Sequence, residues 1–418
     1  MNDITDKRVE KLDEMTSSYI QSLGSLKEAF LINYDVLNSN KEKTINDFNL
    51  FAQTHKPMGD SIPIDISEIK KVKKLIQAKA FASDALKIVP ESLFVSMVSQ
   101  YDYLIGNIVR YIYDVNPKLI CEQDGSITYV DLFKAPDLDS VKDNLLNKRI
   151  ESLLRESHEE QLKILSSLVK ANTLSKFEDY PTFVEMTQRR NILVHAKGIV
   201  SDQYVSNCKK AGCIVVDNKG TQLTVTKDYY IKAYILFCSV GVMLSQTIAR
   251  IILKKENILD QLDASLNHVI YGAIYDEEYG IAIKLSEYAT QKVVKHVSQL
   301  DTVYFILNKA QAYKWNGDDE KCRKIISDYD FSAMTEEILV AKYALEDNVD
   351  AVVKAMEQIG KDGQIMTELS FADWAIFKEM RKKKKFKDTF SKIFGKSLAE
   401  DSLSDKEKEV LQLAQVIN

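Results

Sequence analysis

Residues 92–112, SLFVSMVSQYDYLIGNIVRYI, place Phe94, Met97, Val98, Tyr101, Leu104, Ile105, Ile108 and Ile112 at intervals of three and four. That spacing lines one stripe of an α-helix, whereas a half-buried strand needs apolar residues at every second position. Ser92 is a favourable N-cap, and the helix it opens ends near Asn116-Pro117. Upstream, Pro90 disfavours helical geometry at the preceding residue, so the sequence predicts a separate helix over about 69–88 that stops before it.

Working outward, the same periodicity recurs almost everywhere. Val9, Leu12, Met15, Tyr19, Leu23, Leu26 and Phe30 mark an N-terminal helix, and HKPMGDSIPID, residues 55–65, marks its break. Helical periodicity resumes from Leu138 to Leu154 and continues from Leu162 to Val169, with a possible short strand in the insertion before it, residues 121–133. Pro181 suits the first turn of a short helix reaching Ala196. The run GCIVVDNKGTQLTVT, residues 212–226, has two β-branched segments around a turn and predicts a β-hairpin. Thr226 then caps a very apolar helix running to about Lys255. The apolar stretch Ile231 to Ile252 contains Lys232, Ser239, Ser245, Gln246 and Arg250, so it reads as a buried helix and not as a membrane span.

Beyond about Asn257 the pattern becomes helix, tight polar turn, helix. NKAQAYKWNGDDEKCRKII and AKYALEDNVDAVVKAM repeat it with Tyr313 and Tyr343 thirty residues apart, and VIYGAIYDEEYGIAIKL is a less regular earlier copy. These resemble tetratricopeptide-type hairpins with a drifting period, an irregular α-solenoid. With 14 Gly and 6 Pro in 418 residues there are few places to turn, which argues against an all-β fold. Three regions follow: an N-terminal helical segment (1–90), a helical bundle (91–256) and a helical repeat domain (257–418).

The charged opening MNDITDKRVEKLDEM has no apolar core and reads as neither secretory signal nor anchor. Five cysteines with no CxxC pair indicate neither a zinc site nor a disulfide framework, and a reducing, cytoplasmic setting is expected. The formal net charge of -5 gives no global case for a polyanion partner. Between Met186 and Lys232, however, eight basic residues face three acidic ones, a basic island of net +5.

That island contains EMTQRRNILVHAKG, in which Arg190 and His195 are separated by four residues near a helix end and Asn191 follows the arginine. Here the sequence resembles the HEPN superfamily, whose ribonucleases carry an R-x4-6-H motif with a polar residue directly after the arginine. Resemblance covers roughly Ser92 to Lys255, with the motif on the third helix of a four-helix unit. It implies an all-α fold, a HEPN-type four-helix bundle with a small β-hairpin insertion, followed by the irregular α-solenoid. It also implies metal-independent RNA cleavage, with Arg190, Asn191 and His195 as catalytic residues and two protomers sharing one groove. Relatives of this kind act as toxins or abortive-infection effectors against phage.

The chemistry suits those residue types. Cleavage by the ribose 2′-hydroxyl needs a proton acceptor, which histidine supplies near neutral pH. It also needs a fixed cation for the crowded phosphorane, which arginine supplies as a planar fork. Asn191 and His195 share a helix face at i, i+4, and Arg190 lies about 100° from Asn191. Arg189, Lys197, Lys209 and Lys210 are the candidate RNA contacts. Asp102 is a candidate to orient Arg190 or His195, as acidic residues of the first helix do in some relatives. His158, in SHEE, reads as part of a solvated helix face.

Family variants with a tyrosine two residues after the histidine are modified there by a partner nucleotidyltransferase; Lys197 occupies that position here, so such control is not supported. No Walker loop, GxGxxG turn, HExxH or paired-carboxylate metal motif is present, and no cofactor or metal is expected. The run RKKKKFK, Arg381 to Lys387, reads as an exposed helix face beside core aromatics, with contact to RNA, anionic lipid or an acidic partner as the alternative. Expected partners are RNA, a second copy in a homodimer or higher homo-oligomer, and a protein partner or trigger at the C-terminal helices, with no membrane. The competing readings are a non-catalytic helical adaptor and a HEPN protein that binds RNA or a nucleotide without cutting it.

Overall fold

Two helices of 48 and 47 residues open the chain, α1 (Lys7–Thr54) and α2 (Ile69–Val115). The computed structural model describes residues 6–55, 64–121, 133, 135–171, 174–214, 217–293 and 295–398. Lys11 near the start of α1 reaches Asp114 near the end of α2 at 2.5 Å, and His55 after α1 meets Glu68 just before α2 at 2.7 Å, so the pair is antiparallel. Asp6 caps α1: its carboxylate accepts the Arg8 amide and the Arg8 guanidinium, and that bonding holds its carboxyl at about 2.

The break expected at Pro90 does not occur. Pro90 lies buried within α2, flanked by buried Ala82, Phe94 and Met97, and α2 runs through it. Proline costs a helix interior about 3 kcal/mol, and the burial of Pro90 itself and of Phe94, Met97 and Val98 after it offsets that local loss. Ser92 is therefore an interior helical residue and caps nothing.

The first compact unit, Met1–Ser265, also holds α3 (Leu138–Arg155), α4 (His158–Leu168), α5 (Tyr180–Ala196), α6 (Asp202–Lys210) and α7 (Lys227–Ile252). Ser157, Ser201 and Thr226 cap α4, α6 and α7, their hydroxyls accepting the amides of Glu160, Tyr204 and Tyr229, the third residue of each helix. Tyr101 of α2, Phe183 of α5 and Phe237 of α7 meet with ring centroids 5.3 to 5.8 Å apart, which ties three helices at one point. By length and composition α7 could cross a membrane, yet it packs within this unit, with Leu236, Phe237, Val240 and Val242 at most 3% exposed. Gly241 lets α1 approach α7, since a Cβ there would collide with Tyr19 and Leu104.

The expected β-hairpin is not found among the described residues. All regular structure among the described residues is helical, apart from one isolated antiparallel bridge between Ile199 and Gln222. Residues 215–216 of the first β-branched run lie outside the described residues. The second run pairs instead with the chain leaving α5: Val200 donates to the Thr221 carbonyl at 2.9 Å and Leu223 to that of Gly198 at 2.8 Å. The possible strand within 121–133 lies outside the described residues apart from Cys121 and Phe133.

The second unit, Leu266–Asn418, begins within α8 (Glu256–Tyr275). It continues through α9 (Tyr279–Gln291), α10 (Gln299–Trp315), α11 (Asp319–Asp328), α12 (Glu336–Leu345) and α13 (Val349–Ile359). The turns α8–α9, α10–α11 and α12–α13 share one geometry. Each has a left-handed residue, Glu277, Gly317 or Asp347, and the next amide donates five residues back, to Ala273, Tyr313 or Tyr343. The last helix among the described residues, α14 (Lys384–Phe394), buries Phe386 and Phe390 against Phe371 and Phe377.

Candidate functional site

The end of α5 is fixed by its exit. Lys197 and Gly198 both adopt left-handed backbone conformations, at φ 48° and 77°, and the Gly198 amide returns to the Ile192 carbonyl at 2.9 Å. A Cβ on Gly198 would run into the carbonyl oxygen of Leu223, so glycine is required twice over. Beneath this turn Ile192, Val200, Tyr204, Cys208 and Leu223 form a small apolar cluster, in which burial pushes the Cys208 thiol up to about 12. The last turn of α5, which carries Arg190 to His195, is thereby held rigidly.

Arg190 points toward α2. Its Nη2 lies 3.7 Å from Asp102 Oδ2, and its Nη1 donates to the Asn191 side-chain oxygen at 3.2 Å. On the other side of the same carboxylate, His158 Nε2 lies 3.0 Å from Asp102 Oδ1. Thus α2, α4 and α5 each supply one member of an Arg190–Asp102–His158 cluster. His158 is 5% exposed and packs between Tyr101 and Phe183, which overturns its reading as a solvated face. Its signal was present in the sequence, because His158, Gln161, Leu162 and Leu165 follow the i, i+3, i+4, i+7 pattern of a buried stripe.

His195 differs from Arg190 in its surroundings. It is exposed at the end of α5, and its ring has no hydrogen-bond or ion-pair partner among the described residues. Half-buried Asn191 lies one turn before it on the same face. The result is a cation tethered by one carboxylate next to a histidine that is open to solvent.

Arg189 sits elsewhere. Its Nε donates to Glu185 Oε1 at 2.8 Å, its Nη1 to the Thr224 carbonyl at 3.1 Å, and its guanidinium covers the Tyr229 ring at 4.0 Å. Glu185 also accepts the hydroxyls of Tyr204 at 2.7 Å and Tyr229 at 2.9 Å. Burial, reinforced by that carboxylate, raises both hydroxyls above the ordinary tyrosine range. With 14% of its side chain exposed, Arg189 knits α5 to α7 and is not presented to a ligand. This network of Glu185, Arg189, Tyr204 and Tyr229 went unread in the sequence.

The basic island is smaller in space than along the chain. Lys219 is paired with Asp202, and Lys227 with Asp35 at 3.1 Å. Lys197, Lys209 and Lys210 are exposed, the first beside the α5 exit and the other two on the last turn of α6. Compared with known proteins, the chain matches no family model, no curated protein sequence and no solved structure.

Proposed function

We propose that this protein is a metal-independent endoribonuclease of the HEPN type, acting as a toxin or abortive-infection effector of antiphage defence in a prokaryotic cytoplasm. The observation that carries the reading is the pairing, on the last turns of one rigid helix, of a tethered Arg190 with an open His195. His195 takes the proton of the ribose 2′-hydroxyl as that oxygen attacks the adjacent phosphorus, and returns it to the 5′-oxygen as the bond from phosphorus to that oxygen breaks, leaving a 2′,3′-cyclic phosphate and a 5′-hydroxyl. Arg190 offers its fork to the charge growing on the phosphorane, and Asp102 limits the directions the fork can take. Asn191 lines the same face and donates to a phosphate or sugar oxygen.

A single Arg–His pair is a sparse site, so the reading includes a homodimer in which two α5 ends face one groove. The bundle built on α2, α5 and α7 would be the HEPN unit, and the three alike turns of the second unit support a tetratricopeptide-like repeat that receives a partner or trigger.

The test is RNA cleavage by the full chain. Cleavage should survive EDTA, leave 2′,3′-cyclic phosphate and 5′-hydroxyl ends, and fail on all-deoxy substrates. His195→Ala and Arg190→Ala should each cost at least about a hundredfold in rate. Full activity in His195→Ala, or 5′-phosphate ends formed only with a metal, would overturn the reading.

A further inference from the structure

The outer part of the α1–α2 pair is a thin, basic arm. Between Ile69 and Pro90, α2 carries Lys70, Lys71, Lys73, Lys74, Lys79 and Lys87 against the single acid Asp84, in a chain whose formal net charge is -5. Only Val72, Ala82 and Pro90 are buried in that stretch, and beyond Asp35 the facing helix buries only Phe51. At 1.5 Å per residue the stretch is roughly 30 Å long. Lys79 lies over the Phe48 ring at 4.7 Å and Lys71 over that of Phe51 at 5.6 Å, which closes the arm on itself. Lys70, Lys73 and Lys74 are exposed and have no carboxylate partner among the described residues.

The exposed face also carries Ile69, Ile76, Phe81 and Ile88, at 41%, 52%, 64% and 57% exposure. Their arrangement decides between occupants. Setting Ile69 at zero and advancing 100° per residue, Ile76 falls at about -20°, Lys73 at about 40°, Lys70 and Ile88 at about 100°, Phe81 at about 120° and Lys74 at about 140°. Lysines thus interrupt the apolar residues across this exposed arc of about 160°. A lipid surface or a helix of a second copy needs an unbroken apolar stripe with charges at its margins, and would bury Lys73 unpaired. A phosphate backbone needs clustered cations and tolerates scattered apolar neighbours, among which Phe81 offers a ring to an unstacked base.

We propose that this arm binds the phosphate backbone of RNA through Lys70, Lys71, Lys73 and Lys74. The inference rests on the reading of RNA as substrate and extends it. Those lysines lie about 45 Å along α2 from Asp102, so the arm is a contact separate from the Arg190–His195 groove. One RNA must be long enough to cover that distance to touch both. The arm would select for long RNA and hold it while the groove cuts.

The test measures binding, not cleavage. Full-length protein carrying His195→Ala, which leaves RNA intact, is titrated with a fluorescent unstructured 40-nucleotide RNA over a range of salt concentrations. Four single-strand contacts at about 0.7 counterions each predict that replacing all four lysines by Gln lowers the log–log salt slope by about 3. The double change Lys70→Gln, Lys74→Gln lowers it by about half as much, and replacement of all four by Arg restores it. Circular dichroism and light scattering accompany each variant. An unchanged slope in both Gln variants overturns the proposal. So does a loss of binding that follows a change in oligomeric state, which would make the arm an interface between copies. So does lysine-dependent binding to phosphatidylserine vesicles with no effect on RNA. If the slope falls as stated while the wild-type chain, assayed separately, cleaves no RNA, the nuclease reading fails and the arm stands.

Discussion

His158 Nε2 lies 3.0 Å from Oδ1 of Asp102, while the other oxygen of that carboxylate faces Arg190 at 3.7 Å. One aspartate is therefore shared between a buried imidazole and a half-buried guanidinium. Replacing Asp102 by Asn keeps the shape and removes the charge that restrains Arg190. A catalytic group displaced by about 1 Å can lose on the order of a hundredfold in rate. Asp102→Asn should lower kcat for RNA cleavage by about tenfold to a hundredfold, with a much smaller change in KM. Steady-state kinetics on a defined oligonucleotide checks this, and an unchanged kcat would detach Asp102 from the site.

The closeness of α1 and α7 gives a stability prediction with two signs. At Gly241 a new methyl would strike the Tyr19 ring and Leu104, whereas at Gly24, inside α1, nothing lies within 4 Å of an added Cβ. Gly241→Ala should destabilise the first unit by about 1–3 kcal/mol through overpacking. Gly24→Ala should stabilise it by about 0.5–1 kcal/mol, because alanine loses less backbone entropy in a helix. Thermal melts of the two variants should move in opposite directions.

Local rules made most helix ends readable. Pro181 in the first turn of α5, Thr226 before α7 and the polar turns after Tyr313 and Tyr343 all stand where capping and turn chemistry put them. Pro90 misled because its cost of about 3 kcal/mol is local, while Pro90 itself and the helix after it, from Phe94 to Ile112, are buried. The second β-branched run misled because its partner, the chain at Gly198 to Val200, is delivered by a turn no periodicity reveals. The spacing of Arg190 and His195 was visible, but the direction of each side chain was not. Arg189 and Arg190 differ by one residue, and about 100° of helical rotation sends the first to Glu185 and Tyr229 and the second to Asp102.

The cap of α1 sets a pH dependence. Asp6 is held at about 2 against an ordinary 3.8, chiefly by its hydrogen bond to Arg8. A carboxyl whose folded pKa is depressed adds stability above its unfolded pKa and loses it as pH falls through the folded one. Asp6→Asn retains a capping side chain and removes only the charge. The melting temperature of wild type should exceed that of Asp6→Asn by a constant margin from pH 7 to pH 5. That margin should narrow below pH 4 and close toward pH 2. A margin independent of pH would mean the charge contributes nothing.

The two classes of basic residue near α5 should separate cleanly in experiment. Arg189 is enclosed, bonded to Glu185 and the Thr224 carbonyl and stacked on Tyr229, so its removal leaves the Glu185 carboxylate with two tyrosine hydroxyls and no cation. Breaking such a partly buried pair from one side costs about 2–4 kcal/mol. Arg189→Ala should therefore lower the denaturation midpoint clearly, while the salt slope of RNA binding at a temperature where the variant is folded stays at the wild-type value. Lys209 and Lys210 are exposed on the final turn of α6. Changing both to Gln should leave stability within about 0.5 kcal/mol of wild type. It should flatten the salt slope by about 1.4, the contribution of two single-strand phosphate contacts. Denaturant melts and salt titrations on the same two variants give the four numbers required. A slope that falls in Arg189→Ala and holds in the lysine variant would reverse the assignment, placing the RNA path over α5 and α7 and away from α6.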